Sequence, residues 1–291
     1  MRRKWKLAFV AGLGYSRQDA KDVIASLAGI GYDGIEWTPA HFDADSPLAG
    51  LRELVDRTRD AGLEVSRVMM HQGLVHLDET VREKRIERTV RVIEAAGACG
   101  VATVGTMAGP TRWEADAPVV GRDIGEGAAW DQVFEAYERF VETAKESDVV
   151  ITSEGVWGSL AHDYYTHRYL MDRAASPHHC VNFDPSHGIL YGNLDVGWVV
   201  REWGERIGHV HLKDAVGEPV PGKFLFPLLG EGLVDWADFF RALDEIGYSG
   251  FCSVEFESFS YYRTVLGEDP EAAARLSLEQ IERLLAAAGP S

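Results

Sequence analysis

Short apolar runs rich in β-branched residues alternate along the chain with longer segments whose apolar residues recur every three to four positions. The short runs have the length of buried strands, and the longer spacing is typical of helices that cover a sheet with one face. The short runs predict eight strands, at Leu7–Ala11, Gly34–Thr38, Glu64–Met70, Ala102–Met107, Val149–Glu154, Cys180–Asp184, His209–Lys213 and Phe251–Phe256. The longer patterns predict helices at Arg17–Ile30, Leu51–Ala61, Thr80–Cys99, Ala128–Glu146, Tyr165–Ala174, Val196–Arg206, Trp236–Ile246 and Glu271–Ala287.

Glycine marks the ends of several predicted helices, as at Gly31 and Gly247, where a left-handed residue commonly closes a helix. Eight strand–helix alternations predict a parallel sheet covered by helices, which is either an open doubly wound sheet or a closed barrel. Eight units in 291 residues, with polar residues at many strand ends, favour the barrel. Because no Pro- or Ser-rich linker interrupts the pattern, we predict an α/β fold, a single (β/α)8 TIM barrel domain over residues 1–291.

Two long segments follow predicted strands, at about 109–127 and 215–234, and both are rich in glycine, proline or charge. Loops after barrel strands lie on the catalytic face, and long ones often cover or bind substrate. A disordered insertion is the alternative, but Phe224–Leu229 is too apolar for one. We therefore predict that this stretch packs over the site or against a partner.

The formal net charge of −17 disfavours nucleic acid and anionic membranes as partners. The three cysteines are far apart and form no CxxC, which is typical of a reduced, cytoplasmic protein and gives no zinc–thiolate site. A signal peptide is the alternative reading of the basic N-terminus, but the apolar run at 7–13 is short and is followed by polar residues. No apolar stretch approaches the length of a membrane span.

Ionisable residues end four consecutive predicted strands, and in a barrel these ends converge on one face. The residues are Glu154 on the fifth strand, Asp184 on the sixth, His209 and His211 on the seventh, and Glu255 and Glu257 on the eighth. Because alternate strand residues share a face, position alone does not choose within the last two pairs. Asp184 also precedes a proline, which is typical of a turn.

Carboxylates gathered in a barrel mouth would repel one another without a cation. Oxygen ligands with one imidazole suit Mn²⁺ best in our interpretation, with Mg²⁺ or Co²⁺ as alternatives and Zn²⁺ less favoured. Four further residues are candidates for substrate binding, with structural roles or simple packing as the alternative: Glu36, His71, Trp113 and Trp157. Gly12-Leu13-Gly14 lacks the rest of a dinucleotide fingerprint, so no nucleotide cofactor is expected.

Four segments resemble the sugar phosphate isomerase/epimerase superfamily, the xylose isomerase-like TIM barrels. They are Gly31-Tyr32-Asp33-Gly34-Ile35-Glu36, Asp184-Pro185-Ser186-His187, His209-Val210-His211-Leu212-Lys213-Asp214 and Ser253-Val254-Glu255. The resemblance implies that one divalent metal is held by Glu154, Asp184, His211 and Glu255. It also implies that Glu154 and Glu255 are an acid/base pair, that His187 contacts substrate, and that Lys213 and Asp214 lie beside the site.

The activity implied by the resemblance is isomerisation or epimerisation of a sugar or keto sugar. Its first step is proton abstraction next to a carbonyl, through an enediolate that the metal stabilises. The alternative is a lyase on 3-keto-glycosides, similar to the catalytic subunit of C-glycoside deglycosidases, which would bring a small β-rich second subunit as partner. Otherwise a homo-oligomer is expected. The aromatic residues and the apolar run Phe224–Leu229 favour the lyase.

Overall fold

A computed structural model describes residues 3–289, so the first two and last two residues of the predicted domain lie outside the described part. Its centre is a closed barrel of eight parallel strands. The strands are β1 (Lys6–Val10), β2 (Gly34–Trp37), β3 (Glu64–Met69), β4 (Thr103–Met107), β5 (Val150–Glu154), β6 (His179–Phe183), β7 (Ile207–Leu212) and β8 (Phe251–Val254). Strands adjacent in the chain are adjacent in the barrel, and β8 closes it against β1. The predicted TIM barrel is confirmed.

Helices surround the barrel and connect its strands. They are α1 (Ala20–Ile30), α2 (Pro47–Asp60), α3 (Glu79–Ala98), α4 (Glu126–Glu146), α5 (Tyr164–Arg173), α6 (Pro185–Leu190), α7 (Val196–Trp203), α8 (Trp236–Glu245), α9 (Phe259–Thr264) and α10 (Pro270–Ala287). The short helices α6 and α9 were not predicted, because six residues carry too little periodicity to be recognised. Within residues 3–289, no helix combines the length and apolarity needed to cross a bilayer.

The buried apolar residues lie chiefly between the outer face of the strands and the inner faces of the helices. The inside of the barrel is different, because it holds charged and polar side chains. Glu36, Arg67, Thr152, His209 and Ser253 are all buried there and lie within one network of contacts. Such a polar interior is stable only where the buried groups form hydrogen bonds or ion pairs with one another. The packing of this part of the fold therefore depends on the same side chains that lie next to the site.

The long segment after β7 is ordered around one buried carboxylate. The Asp214 carboxylate accepts the backbone N–H groups of Ala215, Gly230, Gly232 and Val234 and the indole N–H of Trp236, at 2.9–3.1 Å. The segment also folds back as a two-stranded hairpin, Val216–Gly217 with Phe224–Leu225. Asp214 therefore fixes the loop that covers one side of the barrel mouth.

Replacing Asp214 by asparagine should destabilise the protein by about 2–4 kcal/mol. The NH₂ group of asparagine cannot accept the N–H groups that now donate to the carboxylate, and a hydrogen bond to a charged group is worth about 1.5–3 kcal/mol. Urea unfolding measures the loss, and limited proteolysis should cut residues 215–234 faster. The control is Asp235→Asn, since Asp235 caps α8 and asparagine caps a helix almost equally well. Equal losses in the two variants would refute the anchoring role of Asp214.

Candidate metal centre

Four side chains meet where strands β5 to β8 end. Glu154 is the last residue of β5, Asp184 directly follows β6, His211 lies near the end of β7, and Glu255 directly follows β8. One ligand atom from each lies within 4.8 Å of all the others. The side chains of the first three are almost completely buried, and that of Glu255 is 16 % exposed. The structure therefore brings together the four residues predicted as metal ligands.

Asp184 is held in place by the helix that follows it. Its Oδ1 accepts the backbone N–H of Ser186 at 2.8 Å, which caps the N-terminus of α6. Its Oδ2 faces the other ligands, and among the described residues it has no hydrogen-bond partner of good geometry. Asp184 therefore begins a helix where the sequence suggested a turn, and its second oxygen points to the centre.

His211 presents a ring nitrogen to three carboxylates. Its Nδ1 lies 3.2 Å from Glu154 Oε2, 3.4 Å from Glu255 Oε2 and 4.0 Å from Asp184 Oδ2. Within the described part of the chain this nitrogen also lacks a well-aligned hydrogen-bond partner. Three carboxylates and one imidazole, converging on one point, fit a divalent cation of the Mn²⁺, Mg²⁺ or Co²⁺ type.

The two pairs that the sequence left open have different surroundings. His209 lies one step deeper on β7, where its Nε2 contacts Glu36 Oε2 at 3.0 Å and Ser253 Oγ at 2.9 Å. Glu257 lies further out, 31 % exposed, and pairs with Lys213 at 3.1 Å. Neither belongs to the cluster of four, so the geometry favours His211 and Glu255 as ligands.

Lys213 is the one cation that touches the outer side of this cluster within residues 3–289. Its buried ammonium lies 3.0 Å from Asp184 Oδ2 and also contacts Glu255 Oε2. Burial opposes its charge, but the neighbouring carboxylates outweigh burial and raise the pKa of Lys213 well above its usual range. The ammonium therefore stays charged and offsets part of the negative charge of the centre.

The two glutamates of the cluster are ionised. Burial disfavours the charge on Glu154, but the neighbouring His211, together with a hydrogen bond from His187, lowers the pKa of Glu154 well below the usual range. Burial likewise opposes ionisation of Glu255, and the fields of Lys213 and His211 lower its pKa. Both carboxylates are therefore able to bind a cation or to accept a proton at neutral pH.

Two more histidines border the centre. His187, on α6, places its Nε2 3.3 Å from Glu154 Oε1 and 3.3 Å from Lys213 Nζ. His71, just after β3, places its Nε2 3.5 Å from Glu154 Oε2, and burial lowers its pKa to about 4. His71 is therefore neutral at pH 7, and both side chains contact Glu154 at the edge of the centre.

The position of Glu36 at a predicted strand end suggested contact with substrate, but its surroundings in the structure are different. It is fully buried below the centre, and Arg67 donates to its Oε1 from Nε at 2.9 Å and from Nη2 at 2.7 Å. The contact with His209 satisfies its other oxygen. The register of β2 against β3 shifts at this point, between Ile35 and Glu36. Glu36 therefore supports the centre from beneath and does not open onto the mouth.

Aromatic rings lead from the centre to the protein surface. Phe226 lies 5.7 Å from the His187 ring and 4.8 Å below the Lys213 ammonium. Phe224 follows at 5.3 Å, Trp157 at 4.7 Å from Phe224, and Trp113, 56 % exposed, at 6.2 Å from Trp157. We call Phe226, Phe224, Trp157 and Trp113 the aromatic wall. It shows that the apolar stretch of the β7 loop packs over the candidate site.

Three residues at the site were not identified from the sequence. Arg67 is a charged residue in the interior of the predicted strand Glu64–Met70, which was a usable signal for a buried ion pair. Asn182, which donates from Nδ2 to Glu154 Oε2, lies two positions before Asp184 and so on the same strand face. Phe226 belongs to a loop, and no periodicity indicates where a loop side chain points.

Comparisons with known proteins agree with this fold. L-ribulose 3-epimerase of Mesorhizobium japonicum is 27% identical over 263 residues, which cover 87% of this chain and 80% of the relative. An inosose dehydratase of Clostridium perfringens is 26% identical over 141 residues. This match covers 44% of this chain and 47% of that relative, about half of its length. A crystal structure of the IOLI protein with a bound zinc atom superimposes with a TM-score of 0.73 at 18% identity, over 98% of this chain and 100% of the other.

The family comparison covers most of the sequence. The model of the xylose isomerase-like TIM barrel family matches residues 24–284, a range that includes every strand except β1 and all four residues of the cluster. The resemblance seen in the sequence is thereby confirmed, and the chain belongs to the xylose isomerase-like TIM barrel family.

Proposed function

We propose that this protein is a divalent-metal-dependent epimerase or isomerase of a keto sugar, which acts by removing a proton from the carbon next to a carbonyl. The observation that carries the proposal is the cluster of three carboxylates and one imidazole nitrogen within 4.8 Å at the barrel mouth. Similarity to L-ribulose 3-epimerase along most of both chains supports an activity of this kind on a small carbohydrate.

The metal in this proposal is held by Glu154, Asp184, His211 and Glu255. Mn²⁺ is our first choice because oxygen donors with a single imidazole suit it, and Mg²⁺ and Co²⁺ are alternatives. The zinc atom in the similar IOLI structure makes Zn²⁺ worth testing too. When bound, the metal would polarise the substrate carbonyl and stabilise the negative charge that develops beside it.

The proton transfers are assigned to Glu154 and Glu255. Both are ionised, and β5 and β8 are separated in the barrel by β6 and β7, so the two carboxylates reach the centre from different strands. One, as the carboxylate, would take the proton from the substrate carbon. The other, after taking up a proton from solvent, would return a proton to the opposite face, which inverts that carbon. The buried Lys213 and His187 border both steps and can hold substrate oxygens by hydrogen bonds.

Incubation with a ketose in D₂O tests this chemistry. If a protein base removes the proton, the carbon next to the carbonyl should take up solvent deuterium, and NMR or mass spectrometry measures the incorporation. Turnover without deuterium would contradict proton abstraction and indicate a hydride shift. Ketoses with the carbonyl at carbon 2 and a free hydroxyl at carbon 3 are the first substrates to try, since the similar epimerase acts on L-ribulose.

Elimination is the second candidate, and the aromatic wall is the observation that favours it. Removal of the same proton next to a 3-keto group would expel a carbon- or oxygen-linked aglycone, which the wall from Phe226 to Trp113 could contact. The match to part of an inosose dehydratase is consistent with elimination chemistry. Release of a free aglycone from a 3-keto-glycoside, or co-purification of a small β-rich subunit, would support this candidate over the epimerase.

A further inference from the structure

A buried layer of polar side chains lies directly below the candidate metal centre. Glu36 on β2 and Arg67 on β3 are both completely buried, and two N–H groups of Arg67 bind one oxygen of Glu36. Arg67 also donates to Thr152 Oγ1 on β5 at 3.2 Å. A Cβ at Gly105 would lie 2.7 Å from the Arg67 guanidinium carbon, so β4 leaves room for the arginine only because it carries glycine there.

This layer contacts the centre chiefly at one ligand, His211, and Arg67 Nη2 also lies 3.8 Å from Glu154 Oε2. Both oxygens of Glu36 lie 3.3 Å from His211 Nε2, and Arg67 Nη2 lies 2.8 Å from the same nitrogen. The other ring nitrogen, Nδ1, faces Glu154, Asp184 and Glu255. His211 is therefore held between the layer on one side and the three carboxylates on the other.

The two ring nitrogens of His211 cannot be treated separately. A neutral imidazole carries one proton, so Nδ1 offers a lone pair to a cation only when the proton is on Nε2. That N–H then needs an acceptor in the barrel interior, and the Glu36 carboxylate is in place to accept it. A carboxylate behind a ligating histidine fixes the protonated nitrogen and the ring orientation, and its loss typically weakens metal binding 10–100-fold.

Arg67 explains how a carboxylate can remain charged at this depth. Its two N–H bonds hold Glu36 in position, and its charge neutralises Glu36, so the layer adds no net negative charge below the centre. Arg67 Nη2 also lies 2.8 Å from His211 Nε2, and it can donate to that nitrogen only while the nitrogen carries no proton. Arg67 therefore supports the form with a proton on Nε2 through Glu36, and not through its own contact with the ring.

We propose that Glu36 and Arg67 are positioning residues of the metal centre, which act by directing the Nδ1 lone pair of His211 towards the three carboxylates. The inference rests on the proposed function only in requiring a metal at this cluster. A purely structural ion pair would affect only the stability of the protein. The positioning role predicts that substitution of Glu36 weakens metal binding more than it lowers the free energy of unfolding.

Titration of Mn²⁺ into the metal-free protein by calorimetry tests the proposal. We expect Glu36→Gln to raise the Kd for Mn²⁺ by about 10–100-fold, because the neutral amide is a weaker acceptor for the imidazole N–H. A Kd equal to that of the wild type would overturn the positioning role. Wild-type protein that binds no Mn²⁺ and no Zn²⁺ would instead overturn the proposed centre, so the two failures can be distinguished.

Glu36→Gln leaves Arg67 buried without its partner and can unfold the protein for that reason alone. The double variant Glu36→Gln with Arg67→Met removes both charges, and it should fold while its Mn²⁺ affinity stays reduced by 10-fold or more. Wild-type affinity in this folded double variant would overturn the proposal. In the Zn²⁺-loaded wild type, ¹⁵N NMR should show the His211 proton on Nε2, and a proton on Nδ1 would contradict the mechanism.

Ser253→Ala is the matched control, because it removes a different hydrogen bond of the same layer. Ser253 Oγ lies 2.9 Å from His209 Nε2, and its loss should lower stability without moving His211. We expect its Kd for Mn²⁺ to stay within twofold of the wild type. A loss of Mn²⁺ affinity in Ser253→Ala as large as that in Glu36→Gln would show that any damage to the layer weakens metal binding. That result would refute a specific role for Glu36 and Arg67.

Discussion

Replacing Glu154 by glutamine is expected to lower kcat for keto-sugar epimerisation by a factor of about 10² to 10⁴, the range that a lost general base costs. The amide keeps the shape of the side chain but cannot accept a proton, and it is a weaker ligand than the carboxylate. Steady-state kinetics measures the loss. Metal content and thermal stability must be measured on the same sample, because Glu154 is also a proposed ligand.

Deuterium exchange separates the base role of Glu154 from its ligand role. In a two-base mechanism, Glu154→Gln loses net epimerisation, but one epimer still exchanges its proton through Glu255. Glu255→Gln should show the reverse, with exchange kept only in the other epimer. Loss of exchange from both epimers in metal-loaded Glu154→Gln would contradict the assignment of two bases. Glu138→Gln, on the exposed face of α4, is the control and should retain wild-type kcat.

The barrel could be predicted because its signals are local and repeated. Apolar runs predict the ends of β1 to β8 within about two residues, since the strand residues that face the helices are apolar and recur in every strand. Two of the ends that moved carry acidic residues of the candidate site. Asp184 was assigned to a strand but caps α6, and Glu255 was also assigned to a strand but follows β8. These residues lie where the ladder ends, which is why their side chains are free to converge.

The depth of each side chain in the barrel could not be predicted in the same way. Alternation along β7 puts His209 and His211 on one face, and only the three-dimensional register shows that one meets Glu36 and the other meets the carboxylates. Arg67 illustrates the same limit. Its partner Glu36 lies on a second strand, and Gly105, which leaves space for the guanidinium, lies on a third. Contacts between strands carry no signature within any one of them.

The position of the β7 loop was predictable in outline only. Its apolar residues predicted that Phe224–Leu229 would pack over the site or against a partner, and Phe226 packs against Lys213 and His187. The anchor, Asp214, was assigned from the resemblance as a polar residue beside the site. Its role as acceptor of five N–H groups depends on where Gly230 to Trp236 return in space. Loop geometry of this kind follows from tertiary hydrogen bonds and not from local propensity.

Removing the metal is expected to abolish activity and to lower thermal stability. The proposed ligands include three carboxylates, and Lys213 is the single cation in contact with their outer side within the described chain, so a divalent ion should relieve their repulsion. A metal at 100 times its Kd adds about 2.7 kcal/mol to stability, which corresponds to an increase in Tm of several degrees. Dialysis against a chelator followed by Mn²⁺ addition, with kcat and Tm followed together, measures both effects.

Asp184→Asn should remove the Tm response to Mn²⁺, whereas Asp235→Asn should keep it. Activity that is indifferent to the chelator would refute the metal mechanism, and a Tm response that survives in Asp184→Asn would place the metal elsewhere in the protein.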